Sequence, residues 1–396
     1  MKQNFAPTMQ ELVTANFGGV TFADIIAATP KLLGNEAMLP TVNSRHTTPS
    51  TGDAHVLSRH PDGIRAALNT CPHRNGRLVP VGEEVNGNPV TRDGKLTPNG
   101  SMVCHWHRYT YDEQGTLIFA PAYKKGETLP CLKLNTVALE QFDGLLFEAG
   151  HDAAEMLQDV MKSPSLKRLG IVPFEMKGTV LYDVQESIET FSALTAMEIF
   201  GDTDHVGDIH KVSFDQLVDM MKLWLEMSTH WSIQFVGWRK DTTKVCAEYK
   251  AYRDLVLRGG NTPRYGAVWM IFGPNTTFEW YPTDVEDEHI FVVSTFVPIA
   301  KGGCRNVVEW YVSEATLLRN PELVRALMAA YAVTASEDRV LCNSVELGRR
   351  TLVENGFGHQ RLGPAHPVEE GCVTHYYNML AMYCEQLRRK SLLRFA

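Results

Sequence analysis

Apolar and polar residues alternate along much of the chain, and this alternation predicts antiparallel β-strands. Between residues 41 and 150 the alternating runs are short and glycine-containing turns separate them. In the segment HVLSRHPDGIRAALNTC an Asp-Gly pair lies between two strand-like runs. The pattern therefore predicts a small β domain over residues 41–150.

The pattern is mixed from residue 151 onwards. Predicted strands are EMKGTVLYDVQ, SIQFVGW, KVCAEYKAY, YGAVWMIFG, TTFEWYP, HIFVVSTFVPI and NVVEWYVS. Apolar residues at helical spacing predict helices in SFDQLVDMMKLWLEMS, in PELVRALMAAYAV and in SEDRVLCNSVELGRRTLVENG. We therefore expect an α+β domain over residues 151–396, with an antiparallel sheet and helices on one side. Residues 1–40 are predicted to be a short helical segment that packs on this domain.

Composition narrows the class of protein. The 396 residues are 44% hydrophobic and 21% charged, which is typical of globular proteins, and the net charge of −8 argues against nucleic-acid binding. There is no apolar run of membrane-spanning length and no signal-peptide pattern at the N-terminus. The eight cysteines are scattered, as expected for a reducing cytoplasm. We therefore expect a cytoplasmic protein that binds neither nucleic acid nor membrane.

Two short segments combine thiols with imidazoles. Cys71 and His73 lie in CPHRNG, and Cys104 and His107 lie in CHWHRYTY, with 30 residues between His73 and Cys104. Two thiolates and two imidazoles suit either a tetrahedral zinc ion or a [2Fe–2S] cluster with two cysteines on one iron and two histidines on the other. Because each segment offers one ligand of each kind, a binuclear centre is favoured, with zinc as the alternative.

A second pair of histidines occurs in FGDTDHVGDIH. His205 and His210 are five positions apart, a step that turns a straight helix by about 140°. The two side chains face one ion if the helix breaks between them, and Gly207 is the expected break. Such a pair is weak evidence by itself, because surface histidines often have this spacing.

Two families of motif are matched by these segments. The Rieske motif resembles CPHRNG and CHWHRYTY, including Arg74 and Trp106 within them. The iron motif of the Rieske non-haem iron oxygenases, the ring-hydroxylating family, resembles GD-x-x-HVG-x-x-H. The resemblance covers nearly the whole chain after residue 40. It implies a small all-β Rieske [2Fe–2S] domain and a helix-grip catalytic domain with a mononuclear Fe(II). The long gap between the two Rieske segments is an expected hairpin insertion near residues 81–100.

The resemblance also implies site residues. The cluster ligands are Cys71, His73, Cys104 and His107. The Fe(II) ligands are His205, His210 and Asp338, which form a 2-His-1-carboxylate triad with Glu337 as the alternative carboxylate. Asp202 is expected to link His205 to the neighbouring subunit's His107, in a homotrimer that an accessory subunit could accompany.

The implied activity is the hydroxylation of an organic molecule with O₂, including mono- and dihydroxylation or oxidative demethylation. No nicotinamide or plant-type ferredoxin motif is present, so a separate reductase or ferredoxin is the expected electron donor. An aromatic or largely hydrophobic substrate is predicted from apolar residues expected near the pocket: Met197, Phe200, Met220, Trp224, Phe235, Trp238, Trp269, Met270, Phe278 and Trp280. The alternatives are a Rieske electron-transfer protein without oxygenase activity and a zinc-stabilised binding protein.

Overall fold

Short strands fill the first part of the chain, as the alternation predicts. The computed structural model describes residues 5–85, 87–150, 153–171, 178–283, 285 and 289–393. Its first strands are β1 (Asn16–Phe17), β2 (Val20–Thr21), β3 (Leu32–Asn35), β4 (Ser44–Thr47), β5 (His55–His60), β6 (Gly63–Leu68), β7 (Glu84–Val85), β8 (Asn88–Pro89), β9 (Asp93–Lys95), β10 (Met102–Val103), β11 (Thr110–Tyr111), β12 (Leu117–Phe119), β13 (Thr136–Val137), β14 (Leu139–Phe142) and β15 (Leu145–Glu148).

Longer strands and the principal helices follow. The strands are β16 (Thr179–Glu189), β17 (Val218–Met227), β18 (Trp231–Trp238), β19 (Ala267–Phe272), β20 (Thr276–Tyr281), β21 (Ile290–Pro298) and β22 (Cys304–Ser313). The helices are α1 (Met9–Thr14), α2 (Phe22–Ala27), α3 (Ala153–Met161), α4 (Pro164–Leu169), α5 (Ala193–Gly201), α6 (Val206–Ile209), α7 (Ala247–Val256), α8 (Glu314–Arg319), α9 (Pro321–Glu354) and α10 (Gly371–Leu393). The α+β class expected from the sequence is confirmed.

The chain divides into two units. The smaller one contains residues 30–157 and the described residues 178–180, and the larger one contains the other described residues. The structure thus groups residues 30–40 and 153–157 with the smaller unit, whereas the sequence placed the boundaries at 41 and 151. Residues 5–29 belong to the larger unit, where Leu12 and Phe17 share an apolar core with Tyr376 of α10.

The smaller unit is built from antiparallel sheets. Its largest sheet has the order β13-β6-β5-β4-β9, and a three-stranded sheet has the order β10-β11-β12. Strands β7, β8 and β9 lie in the predicted insertion, and β9 extends the five-stranded sheet by pairing with β4. The buried core beneath the sheets includes Val56, Leu78, Tyr111 and both Cys71 and Cys104. The two motif cysteines are therefore fixed by the core of this unit.

The larger unit contains a seven-stranded sheet of order β16-β22-β21-β20-β19-β18-β17. Strands β17 to β22 pair antiparallel with their neighbours in chain order. One face of this sheet packs against α7 and α9 through a core that includes Trp269, Val292, Trp310, Tyr252 and Leu327. Side chains alternate between the two faces of each strand, so every second residue points towards these helices.

Three predicted elements are corrected by the structure. The segment DMMKLWLEM is the edge strand β17, because its pairing with β18 outweighs the helical spacing of its apolar residues. The segment after Cys246 is helix α7, whose buried Tyr249, Tyr252 and Val256 recur at helical spacing. The two helices predicted around residues 321–356 are one 34-residue helix, α9, with good helix formers and no glycine or proline at the expected break.

Within the described residues, no helix has both the length and the apolar character needed to cross a membrane.

Candidate metal centres and substrate pocket

Two turns of the same geometry carry the Cys/His segments of the smaller unit. The amide of Asn75 donates to the carbonyl of Cys71, and the amide of Arg108 donates to the carbonyl of Cys104. The residue four positions after each cysteine has a left-handed backbone, with φ of 59° at Asn75 and 58° at Arg108. The pattern of a strand followed by a cysteine-containing turn thus occurs twice, and each turn presents one thiol and one imidazole.

The four side chains converge at the tips of these turns. The thiols of Cys71 and Cys104 are buried and in contact with each other, and the imidazole rings of His73 and His107 lie 5.0 Å apart between centroids. The buried Nδ1 atom of His73 has no hydrogen-bond partner within the described residues. Two buried thiols and two more exposed imidazoles are a donor set that would hold a [2Fe–2S] cluster. The hydroxyl of Tyr111 lies 3.2 Å from the Cys71 sulfur, where it can donate a hydrogen bond to the cluster's ligand.

The second candidate centre lies in the larger unit. His205 and His210 flank the one-turn helix α6, and Asp338 reaches them from the middle of α9. The Asp338 Oδ1 atom lies 3.3 Å from His205 Nε2 and 3.0 Å from His210 Nε2. Two ligands bound about 2.1 Å from one ion at a right angle are about 3 Å apart, so these spacings fit a metal triad with open positions.

A carboxylate lies beside the other ring nitrogen of each imidazole. Glu337 Oε2 accepts hydrogen bonds from His210 Nδ1 at 2.7 Å and from the Ser213 hydroxyl at 2.6 Å. Asp202 Oδ2 lies 3.3 Å from His205 Nδ1. Both arrangements direct Nε2 towards Asp338, which is the orientation a metal ligand needs.

The electrostatics of the triad favour a cation. Burial lowers the pKa of His205, but the hydrogen bonds and charges of Asp202 and Asp338 outweigh burial and raise the pKa to about 9. The same two carboxylates would also stabilise a metal ion bound to His205. The imidazole must lose its proton before it can bind the ion. The donor set of two imidazoles and a carboxylate suits divalent iron.

Two expectations about the triad are corrected. Gly207 lies inside α6 and does not break the helix; instead, α6 is so short that both histidines lie at its ends. Asp338 and Glu337 do not begin a helix but lie within α9. Because adjacent helical residues point about 100° apart, Asp338 faces both Nε2 atoms, whereas Glu337 faces His210 Nδ1 and Ser213.

A cavity of about 360 Å³ opens beside the triad, within the larger unit. His205, His210 and Asp338 line it, with apolar or aromatic residues that include Phe200, Phe214, Tyr249, Trp269, Phe296 and Tyr331. Five carboxylates line the cavity: Glu186, Glu189, Asp202, Glu279 and Asp338. Arg339 is the one arginine or lysine among the described lining residues, and its guanidinium donates two hydrogen bonds to the Glu189 carboxylate, at 2.8 and 2.9 Å.

The aromatic residues predicted for the pocket are mostly elsewhere. Phe200 and Trp269 line the cavity, whereas Met270, Phe278 and Trp280 lie on the opposite face of the sheet. The reason is the strand alternation, since Trp269 pairs with Glu279 on one face and Met270 pairs with Phe278 on the other. The same register shows what the sequence prediction missed. Glu279 is a charged residue at an inward position of the aromatic strand TTFEWYP, a signal that was present in the sequence.

Comparison with known proteins identifies the family. A profile described as the Rieske [2Fe-2S] domain matches residues 31–138, and one described as the ring hydroxylating alpha subunit (catalytic domain) matches residues 195–386. A putrescine 2-hydroxylase of Ralstonia nicotianae is 32% identical over 86% of this chain and 86% of its own length. The chain belongs to the Rieske ring-hydroxylating oxygenase alpha-subunit family. A putrescine 2-hydroxylase of Bordetella bronchiseptica is 30% identical over 86% of this chain and 75% of its own length.

Solved structures of Rieske oxygenases share this fold. A quaternary ammonium Rieske monooxygenase, CntA, superposes with a TM-score of 0.71 at 18% identity and covers 96% of this chain and 95% of its own. A naphthalene 1,2-dioxygenase from Rhodococcus sp. superposes with a TM-score of 0.68 at 14% identity, with the same coverage. The expected fold of the Rieske and catalytic domains is thereby confirmed.

Family membership settles the kind of enzyme. This Rieske oxygenase is an iron-dependent oxidoreductase, and its cofactors are a Rieske [2Fe–2S] cluster and a mononuclear Fe(II). The alternatives of a pure electron-transfer protein and of a zinc-stabilised binding protein do not agree with the match to a catalytic oxygenase domain.

Proposed function

We propose that this Rieske oxygenase hydroxylates an organic amine. In this proposal Cys71, His73, Cys104 and His107 hold the cluster. The mononuclear iron is held by His205, His210 and Asp338. Iron at this triad supplies the activation of O₂ that hydroxylation requires.

The overall reaction replaces one C–H bond of the substrate by a C–OH group. One atom of O₂ enters the product, and the other leaves as water after taking up two protons and two electrons. The electrons would come from a separate reductase or ferredoxin, and the cluster held by Cys71, His73, Cys104 and His107 would accept them. This electron donor follows from the family's use of electron-transfer partners.

The chain's own residues orient the reacting groups. Glu337 fixes the His210 imidazole through Nδ1, Asp202 lies 3.3 Å from Nδ1 of His205, and the apolar walls around Phe200 and Phe214 limit water near the triad. Asp202 is also the residue through which we expect electrons to pass from the neighbouring subunit's His107. That role requires a homotrimer, which remains a proposal, as does an accessory subunit.

The charge of the cavity is the observation that carries the proposal of an amine. Five carboxylates line it against one arginine, which is already paired with Glu189, so negative charge stays in excess even after the two positive charges of Fe(II) at the triad are counted. A cavity with this balance favours a cation and disfavours a carboxylic acid. Aromatic walls add to the attraction, because aromatic faces bind cations. Two relatives that cover most of this chain carry the name putrescine 2-hydroxylase, and putrescine is a diamine.

The experiment is product analysis with a substrate panel. Purified protein containing both metal centres is supplied with an electron donor, O₂ and one candidate at a time, and products are identified by mass spectrometry. The panel contains short alkyl diamines, quaternary amines and aromatic acids. We expect one oxygen atom to be added to an alkylamine. Hydroxylation of aromatic acids with no turnover of any amine would contradict the proposal and would favour the aromatic or largely hydrophobic substrate predicted from the sequence.

A further inference from the structure

Glu279 is a buried carboxylate in the wall of the substrate cavity. It lies on the inward face of β20, opposite Trp269 of β19 and Val292 of β21, and only 3% of its surface is exposed. Its position is rigid, because β20 is a central strand paired on both sides. A carboxylate buried at such a position without a cation costs several kcal/mol, so its surroundings need an explanation.

Three hydroxyl groups accompany this carboxylate. Tyr281 donates to Oε2 at 2.7 Å, and Ser294 and Tyr331 donate to Oε1 at 3.2 and 3.1 Å. Within the described residues no lysine, arginine or histidine lies at ion-pair distance from Glu279. A carboxylate has about four acceptor positions. On Oε1 the hydroxyls of Ser294 and Tyr331 also lie 3.0 Å from each other, whereas Oε2 accepts only from Tyr281, so one position on Oε2 is left for a donor from a bound molecule.

The other carboxylates of the cavity already have different tasks. Asp338 faces the two histidines, Asp202 lies beside His205, and Glu189 is bound to the guanidinium of Arg339. Glu186 is exposed to solvent. Glu279 therefore combines burial, a place in the cavity wall and hydrogen bonds from neutral groups alone.

We propose that Glu279 receives the ammonium group of the substrate and selects amines over neutral compounds of the same size. This inference rests on the proposed function, and it names the residue that gives that function its specificity. The ammonium group donates to Oε2, while the three hydroxyls hold the carboxylate in place. The aromatic rings of Tyr281 and Tyr331, which meet edge to face with centroids 6.3 Å apart, border the same position.

The ionisation of Glu279 agrees with this role. Burial raises the pKa of Glu279, the hydrogen bonds from Tyr281, Tyr331 and Ser294 oppose that shift, and the resulting pKa is about 7. The charge of Asp338 adds a smaller upward contribution. At pH 7 about half of the molecules therefore carry an ionised Glu279, and an arriving ammonium group shifts this balance towards the ionised form.

The position of Tyr331 on α9 relates this anchor to the triad. Tyr331 lies seven residues, about two turns, before Asp338, which corresponds to about 10 Å along the helix axis. An ammonium group at Glu279 is therefore displaced along α9 from the metal ligands. The carbon skeleton of the substrate can extend from this anchor towards the triad, so hydroxylation is expected on a carbon of the chain and not on nitrogen.

Binding measurements with one charge change test the inference. Anaerobic calorimetric titrations use the iron-loaded enzyme with butane-1,4-diamine and with butane-1,4-diol, a neutral compound of similar size. We expect Glu279→Gln to weaken binding of the diamine about 10- to 100-fold, because a hydrogen bond to a charged group is lost. Binding of the diol is expected to change little. Glu279→Asp, which keeps the charge, is expected to retain part of the preference for the diamine.

Glu309→Gln is the matched control. Glu309 is also a buried carboxylate that accepts a hydrogen bond from a tyrosine, Tyr311 at 3.0 Å, but it lies on the opposite face of the sheet, where it pairs with Val293. This variant is expected to bind the diamine as the unmodified enzyme does. Equal loss in both variants would overturn the inference, because it would indicate a general effect of removing buried charge.

The remaining outcomes also separate the two proposals. If the unmodified enzyme neither binds nor hydroxylates any amine, the proposed function fails. If it does both and Glu279→Gln keeps full affinity for the diamine, the function stands and the inference is wrong. Should Glu279→Gln fail to fold, Tyr331→Phe takes its place. Removal of that donor is expected to weaken diamine binding several-fold and to spare the diol, and equal effects on both compounds would overturn the inference.

Discussion

Replacing Glu337 separates the orientation of His210 from metal ligation itself. Glu337 Oε2 accepts from His210 Nδ1 at 2.7 Å, and only 2% of the His210 side chain is exposed. The Glu337→Ala variant therefore leaves a buried donor without its partner, at a cost of about 1–3 kcal/mol. Loss of a carboxylate that orients a metal-bound histidine typically weakens metal binding about 10- to 100-fold, which is about 1.4–2.8 kcal/mol and agrees with that cost.

The milder Glu337→Gln variant keeps an oxygen that can accept the same hydrogen bond. This variant loses only the negative charge of the acceptor. Because hydrogen bonds to a charged group are about twice as strong as neutral ones, the bond from His210 becomes weaker but is not lost. We therefore expect a loss of about 1 kcal/mol, or about fivefold in Fe(II) affinity. Ser213→Ala is the control, because it removes the other donor to Glu337 at 2.6 Å, and a longer contact of the same hydroxyl with the His210 carbonyl at 3.3 Å, but leaves the hydrogen bond between Glu337 and His210 Nδ1 intact.

The assay is an anaerobic competition for Fe(II) between the protein and a chelator, with the Rieske resonance signal as the check on folding. The expected order of Fe(II) affinity is unmodified protein and Ser213→Ala, then Glu337→Gln, then Glu337→Ala, with no specific binding in Asp338→Ala. Unchanged affinity in Glu337→Ala would refute the orienting role. Complete loss in Glu337→Ala with binding retained in Asp338→Ala would move the carboxylate ligand to Glu337.

Three further predictions concern the cluster and its connection to the iron. Tyr111→Phe removes the hydroxyl that lies 3.2 Å from the Cys71 sulfur. We expect a redox titration to show a reduction potential lower by about 40 mV, which is equivalent to about 1 kcal/mol, and an unchanged potential would contradict this. His73→Ala is expected to lose the Rieske electron paramagnetic resonance signal, and an unaltered signal would show that another residue holds the cluster. Asp202→Asn is expected to bind both metals and to reduce its cluster normally but to turn over very slowly, and near-normal turnover, or full activity in a monomer, would refute the expected path between subunits.

Much of the site was accessible from sequence because its residues occur in short local patterns. Each Cys/His pair lies within one turn, and His205 and His210 lie on either side of one helical turn, so spacing along the chain reflects proximity in space. The family resemblance and the expected cofactors are confirmed on this basis. The ligand roles of the individual residues remain predictions, and the experiments above test them.

The prediction did less well where tertiary packing decides the outcome. The helical spacing in DMMKLWLEM was overridden by strand pairing at the sheet edge, and the pocket prediction did not account for the alternation that turns Trp280 away from the cavity. The contact between Tyr331 and Glu279 joins residues 52 positions apart, so no local pattern could indicate it. The substrate class depends on such contacts, which explains why an aromatic or largely hydrophobic substrate was predicted from the apolar residues of the sequence and an amine is proposed from the cavity.

Isotope labelling of the product tests the central claim most directly. The enzyme is supplied with a reductase, a short alkyl diamine and ¹⁸O₂ in unlabelled water, with Asp338→Ala as the matched control. The account predicts a hydroxylated amine that carries one ¹⁸O atom on carbon, formed by the unmodified enzyme and absent with Asp338→Ala. A product without the label, or equal product from the Asp338→Ala variant, would contradict it.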